Sequence, residues 1–209
     1  MLLRRVKFAA LFVIATLACS GTGGDPTGPG VQVGQESLPS GGAAYHGAVP
    51  HVFLGGSAVL TCSSHGEFTG AVAPPAPQGA TVTSDYFATF EGQLDLAPPL
   101  VPAPVTHPLS LQAHMVERIT LAGAQGAMRT FDTELITFEL GGSVTPAGAM
   151  VRESPSVAST GRTTITALSG GQYRIESFYD VWLEISLDGG RTWHPAEGVV
   201  RMTLSRPTP

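Results

Sequence analysis

The sequence predicts an all-β chain of antiparallel, sandwich-like build, and three observations carry that expectation. Apolar residues recur at every second position. Val181, Leu183, Ile185 and Leu187 share one phase, while Trp182, Glu184 and Ser186 share the other; Val200, Met202 and Leu204 repeat the pattern, as do Ile136, Phe138 and Leu140. Glycine and proline are abundant, at 26 and 17 of 209 residues, which suits many turns between short strands. Helical signal is weak: the best stretch, Leu111 to Ala122, lacks a clear cap and fits a strand equally well.

Residues 1–18 read as a bacterial export signal of the lipoprotein type. Arg4, Arg5 and Lys7 form a basic start, Phe8 to Leu17 form a short apolar run, and Ala18 places a small residue before Cys19. The run is shorter than the roughly 20 apolar residues that a membrane-spanning helix needs. Thr16-Leu17-Ala18-Cys19 has the layout of a lipobox, so Cys19 is the expected site of lipidation by palmitate-type acyl chains. Each buried methylene contributes about 0.8 kcal/mol, and two or three chains make anchoring stable. The expected location is therefore outside the cytoplasm, lipid-anchored to a bacterial membrane, with the outer membrane favoured. Ordinary signal cleavage and secretion is the alternative.

Removing that signal leaves eight basic residues against sixteen acidic ones, a net charge of −8, and no lysine. Such a surface repels phosphate backbones and anionic headgroups, so nucleic acid is excluded as a partner. No asparagine occurs, hence no N-glycosylation acceptor. With Cys19 acylated, Cys62 has no partner in the chain for a disulfide. Burial among apolar neighbours, after Ala58, Val59 and Leu60, is the plainest expectation for its thiol.

Residues 19–40, rich in Gly, Thr, Pro and Ser, are expected to be a flexible tether with a reach of roughly 25 Å. Residues 41–96 form a first expected β-module, in which Thr81 to Glu91 is rich in β-branched and aromatic side chains. Residues 97–108 follow as a stiff connection punctuated by Pro98, Pro99, Pro102, Pro104 and Pro108, a density that disfavours a central strand. Residues 109–209 form the second module. Ser84–Asp95 aligns with Ser177–Asp188 without gaps, five of twelve positions being identical. An old duplication of a β-module explains this likeness, and so does shared strand composition.

Within the second module, Ser186-Leu187-Asp188-Gly189-Gly190-Arg191-Thr192-Trp193 matches Ser-x-Asp-x-Gly-x-Thr-Trp at every defined position. The pattern resembles the Asp-box of sialidases and other propeller proteins, where it shapes a hairpin turn away from the catalytic site. Ser186, Asp188, Gly190, Thr192 and Trp193 are thus expected to be turn-forming: the carboxylate accepts backbone amides, glycine takes positive φ, and the indole packs under the loop. A single copy argues against a propeller, which needs several blades.

Other constellations are weaker. Cys62-Ser63-Ser64-His65, with His46 and His51 upstream, has metal-ligand residue types in a Cys-x-x-His spacing, but no methionine follows. The acid pairs Glu176 with Asp180 and Glu184 with Asp188 suit solvated or turn positions better than glycoside hydrolysis. No Gly-x-Ser-x-Gly elbow is present.

A wider segment carries a family likeness: Val151-Arg152-Glu153-Ser154-Pro155, then Gly161-Arg162-Thr163-Thr164-Ile165, then Gly170 through Gly190. It resembles a group of uncharacterised exported bacterial β-rich proteins, many of which end in a Pro-Glu-Pro sorting tail. The likeness is best over about the last 60 residues. Here the chain ends Arg206-Pro207-Thr208-Pro209 without such a tail, and the lipobox stands in as the anchor. The resemblance implies export and β-structure and assigns no catalytic residue. The combined expectation is a non-enzymatic envelope lipoprotein without cofactor, its membrane contact made through lipid and its protein or glycan partner open. The alternative is a carbohydrate-active or metal-binding exported protein using Cys62 and His65 or the Asp-box region.

Overall fold

The computed structural model describes residues 30–33, 38, 43–70, 72–140 and 148–205. They are all-β and antiparallel. The strands are β1 (Gly30–Val33), β2 (Ala44–Gly47), β3 (His51–Phe53), β4 (Ala58–Thr69), β5 (Thr81–Leu96), β6 (Val105–Gln125) and β7 (Met128–Leu140). They continue as β8 (Met150–Glu153), β9 (Ser159–Ala167), β10 (Gln172–Val181), β11 (Leu183–Ser186), β12 (His194–Pro195) and β13 (Val200–Ser205). Leu111 to Ala122 lies within the strand β6, and the helical turns among the described residues are two short 3-10 segments.

Eight strands close a ring in chain order: β2, β4, β5, β6, β7, β9, β10 and β13, with β13 pairing back onto β2 through Leu204 and Tyr45. The architecture is thus a closed up-and-down barrel with extra strands, where the sequence predicted two packed sheets of a sandwich. Alternation dictates an apolar sheet face but not whether that face meets a second sheet or curls onto itself. The two expected modules both feed this one ring, residues 41–96 supplying β2, β4 and β5 and residues 109–209 supplying β7 onward. Between them the Pro-rich stretch is the loop of the β5–β6 hairpin, and Pro108 sits inside β6 opposite Gln93. In the segment expected to be a tether, Gly30–Val33 pairs with β10, and Leu38 is buried and bridges Val72.

Two-residue alternation turns one face of every ring strand inward. On β6 the inward phase runs through Leu109, Ala113, Met115, Ile119 and Leu121; on β10 it runs through Ile175, Tyr179 and Val181. Phe53, Phe90, Phe131, Phe138, Leu60, Leu94 and Ile165 fill the lumen with no exposed surface. A ring of eight strands leaves an interior that side chains alone can fill. One expected phase is corrected: Phe138 and Leu140 point inward, but Ile136 is exposed. The β6–β7 register steps there from Glu117↔Leu135 to Val116↔Thr137, so Ile136 is the extra residue of a bulge.

The outer wall carries Thr, Asp, Glu and Arg. Arg118–Glu134, Arg162–Asp132 and Arg201–Asp180 pair across neighbouring strands at 2.6, 2.8 and 2.7 Å. Membrane-spanning barrels have the reverse polarity, an apolar outer band around a polar interior.

Candidate functional site

The turn between β11 and β12 is Ser186 to Trp193. The Oδ1 atom of Asp188 accepts the Ser186 hydroxyl at 2.8 Å and the amides of Arg191 and Thr192 at 3.0 and 2.9 Å. In turn, the Ser186 Oγ accepts the Gly190 amide at 2.8 Å, and the Trp193 indole N–H donates to the Gly190 carbonyl at 3.1 Å. Gly190 adopts φ +86°, open to glycine and strained for other residues. The Thr192 amide is the main reason why the Asp188 carboxyl is held down to about 2, with help from the Thr192 and Ser186 side chains and the Arg191 amide. The carboxylate accepts these bonds while fully exposed, and Trp193 is half-buried.

Behind this turn lies a charged cluster. The guanidinium of Arg152 stacks on the Trp193 ring at 3.9 Å and donates twice to Glu184 Oε2, at 3.1 and 2.8 Å. The Ser154 hydroxyl donates to the other Glu184 oxygen at 3.2 Å. Glu184 is only 8% exposed, so these contacts are what permit a carboxylate there. From Arg152 a row of directly opposed outward side chains runs across the wall: Glu139 on β7, His114 on β6, Phe87 on β5 and Thr69 on β4. The His114 ring nitrogen meets Asp85 at 2.9 Å, and its ring lies 5.1 Å from that of Phe87.

The row lies in a depression. A hollow of about 390 Å³ lies between Phe87 and Trp193, floored by Leu140 and Val151. A second, of about 420 Å³, shares Phe87 and Gln112 with it, and a third, of about 340 Å³, shares Glu67 and Thr89 with the second. Elsewhere on the wall, about 570 Å³ opens among the three cross-strand ion pairs, where each arginine is engaged by a carboxylate.

Inside the barrel is a polar belt that the sequence reading missed. Glu117 is 2% exposed, and the hydroxyls of Tyr179 and Tyr86 both donate to its carboxylate, the latter at 3.4 Å. Burial pushes this carboxyl up to about 7, against the opposing pull of the two tyrosine hydrogen bonds. Tyr86 and Tyr179 are raised well above their ordinary value, first by burial and then by the nearby carboxylate. A second chain runs from the Tyr45 hydroxyl to Ser177 at 2.8 Å and on to Thr163 at 2.6 Å. Ser84, opposite Glu117 in register, and Thr133 bury hydroxyls without a partner. A signal was present: Glu117 falls in the inward phase of Ala113, Met115, Ile119 and Leu121.

His51 and His65 also point into the core, 1% and 4% exposed. Burial pushes their imidazoles down to about 4 and about 3, and His51 and His46 add to the effect on His65. His65 stacks on Phe138 at 4.9 Å, while both ring nitrogens of His51 lack a partner. No group of three or more His, Cys, Asp or Glu suited to a metal occurs among the described residues. Cys19, the lipidation site expected from the sequence, and the side chain of Cys62 lie outside the described residues. Of the acid pairs, Asp180 is engaged by Arg201 and Glu184 by Arg152. Comparison with protein families, curated proteins and solved structures finds no match.

Proposed function

We propose that the chain is a non-enzymatic envelope lipoprotein, anchored through Cys19, whose barrel binds a partner along its outer wall. The observation that carries this reading is where the concavity lies. The lumen is filled by phenylalanine, leucine and isoleucine, whereas three contiguous hollows run over the outside. Barrels that carry a ligand in the lumen keep that space open. The outward charges support a barrel held beside a membrane by lipid, not inserted in it. In this reading the two similar modules are the parts of the barrel on either side of the Pro-rich β5–β6 loop.

Cell fractionation tests the anchor: Cys19→Ser should move the protein out of the membrane fraction, and full retention there would end the lipid reading. Co-sedimentation of the purified chain with isolated envelope material tests the binding role. A second reading, a metal-binding module, draws on His51, whose two ring nitrogens are buried without partners. Stoichiometric copper or zinc that disappears in Cys62→Ala would favour it.

A further inference from the structure

We infer that the outer groove is a binding site for an uncharged oligosaccharide chain. This deepens, and rests on, the reading of the barrel as a surface-binding module. The three hollows follow one another along the wall, neighbours sharing lining residues, Phe87 with Gln112 at one junction and Glu67 with Thr89 at the next. They cross the wall from β8 to β2. Six strands spaced about 4.8 Å apart make a track of roughly 24 Å, the footprint of an extended polymer rather than a small metabolite.

The chemistry along that track is a flat apolar platform with hydroxyl partners beside it. Phe87 is 43% exposed on an outer strand face otherwise made of Thr, Asp, Glu and Gln, with the His114 ring beside it. A pyranose presents a C–H face to such a ring and a girdle of hydroxyls to its neighbours. Gln112, Thr89, Ser110 and Glu67 supply both donors and acceptors within the hollows that adjoin Phe87. A few placed polar groups around an apolar surface is the usual composition of a ligand site.

Charge narrows the class. The arginine of the groove already faces a carboxylate, Arg152 on Glu184, the His114 ring meets Asp85, and burial pushes His46 toward its neutral form, while Glu67, Glu91 and Glu139 line the groove as well. A polyanionic glycan would meet repulsion without free cations to offset it. An extended peptide finds no foothold on β5, the strand that carries Phe87, since it is paired on both sides along the groove, with β4 and with β6.

The test is calorimetric titration of the full chain, in detergent, with neutral gluco-, xylo-, manno- and N-acetylchito-oligosaccharides of increasing length and with an acidic uronic-acid series. At least one neutral series should bind, more tightly with length until the groove is full. Phe87→Ala should weaken binding about tenfold and Gln112→Ala less, with unchanged melting temperatures because both side chains are outward. Phe178→Ala, on another part of the outer wall, should bind as the wild type does. Absence of neutral binding, preference for the acidic series, or binding indifferent to Phe87→Ala would each overturn the proposal. If envelope material co-sediments with the wild type but not with Phe87→Ala while all glycans are silent, the oligosaccharide class fails and the surface-binding role stands. If the wild type binds neither, the role itself fails.

Discussion

Tyr86 and Tyr179 stand 93 residues apart in the chain and four strands apart in a ring of eight, and both donate to the carboxylate of Glu117. They are also the tyrosines that superpose when Ser84–Asp95 is laid on Ser177–Asp188. The aligned serines, Ser84 and Ser177, are both buried too. The internal likeness therefore maps to opposite walls of one lumen, meeting at a single charged group.

Glu117→Gln should stabilise the protein at neutral and alkaline pH. The folded-state carboxyl is raised to about 7 from an ordinary 4.5, so its contribution is fully present below pH 4.5 and is lost as pH rises through 7. That shift corresponds to on the order of 3 kcal/mol above pH 7. Denaturant melts should show the variant gaining on the wild type between those values, since the amide keeps a carbonyl for the tyrosines. Parallel curves across pH would mean that Glu117 ionises at no cost.

The two core histidines act with the opposite sign. His51 and His65 fall from 6.5 to about 4 and about 3, so the stability that they contribute is present above pH 6.5 and is lost as pH falls. Between pH 4.5 and 6.5 two imidazoles oppose one carboxyl, and stability should rise with pH. His65→Phe, placed between Phe90 and Phe138, should flatten that acid limb. An unchanged limb would assign acid sensitivity elsewhere.

Gly161→Ala should be poorly tolerated despite its small size. A Cβ there would collide with the Phe178 carbonyl and sit 2.8 Å from both the Thr133 hydroxyl and the Tyr179 ring. Overpacking of this kind costs about 1–3 kcal/mol, and it would also push Tyr179 off Glu117. The check is a lowered melting temperature together with a shift of the pH dependence set by Glu117.

At the β11–β12 turn, Trp193→Ala should cost more than Asp188→Ala. A fully buried Trp lost to Ala costs about 3–5 kcal/mol, and this half-buried ring roughly half of that, whereas the amides released from Asp188 face water. The gap between wild type and Asp188→Ala should close as pH falls from 3.8 through about 2, where the carboxyl protonates. A gap that persists at lower pH would mean that the side chain acts through packing.

Arg152→Leu should destabilise by about 2 kcal/mol. Removing one partner of a buried pair costs about 3–5 kcal/mol, discounted here because Arg152 is about one-third exposed. Pairing it with Glu184→Gln should recover most of the loss. Additive losses in that double variant would show that the pair is not coupled.

Strand identity was legible where alternation was clean, as in Val200–Leu204, because period two is a local property. Over Val181–Ile185 the apolar phase is buried as read, but β10 ends at Val181, β11 begins at Leu183, and Glu184 and Ser186 of the other phase are buried too. Ile136 misled because a bulge shifts the phase by one residue and leaves no composition signal. Closure was hidden for a different reason: the Tyr45↔Leu204 pairing joins the two ends of the barrel's sequence, and alternation reports which face is apolar, not what covers it. The Asp-box residues could be placed at a turn because their bonds span four residues at most. The groove could not, since Glu67, Phe87, Gln112 and Arg152 come from four strands and meet only through register.

That same β2–β13 seam sets an order of events. A chain that emerges N-terminus first, from a ribosome or through a translocation pore, offers β2 early and β13 last. Until the final strand arrives, β2 lacks its partner on that side, and the lumen has no wall to seal it. Half-emerged intermediates therefore expose sheet edges that the closed ring covers. The last few residues of the barrel act as the latch that ends this interval.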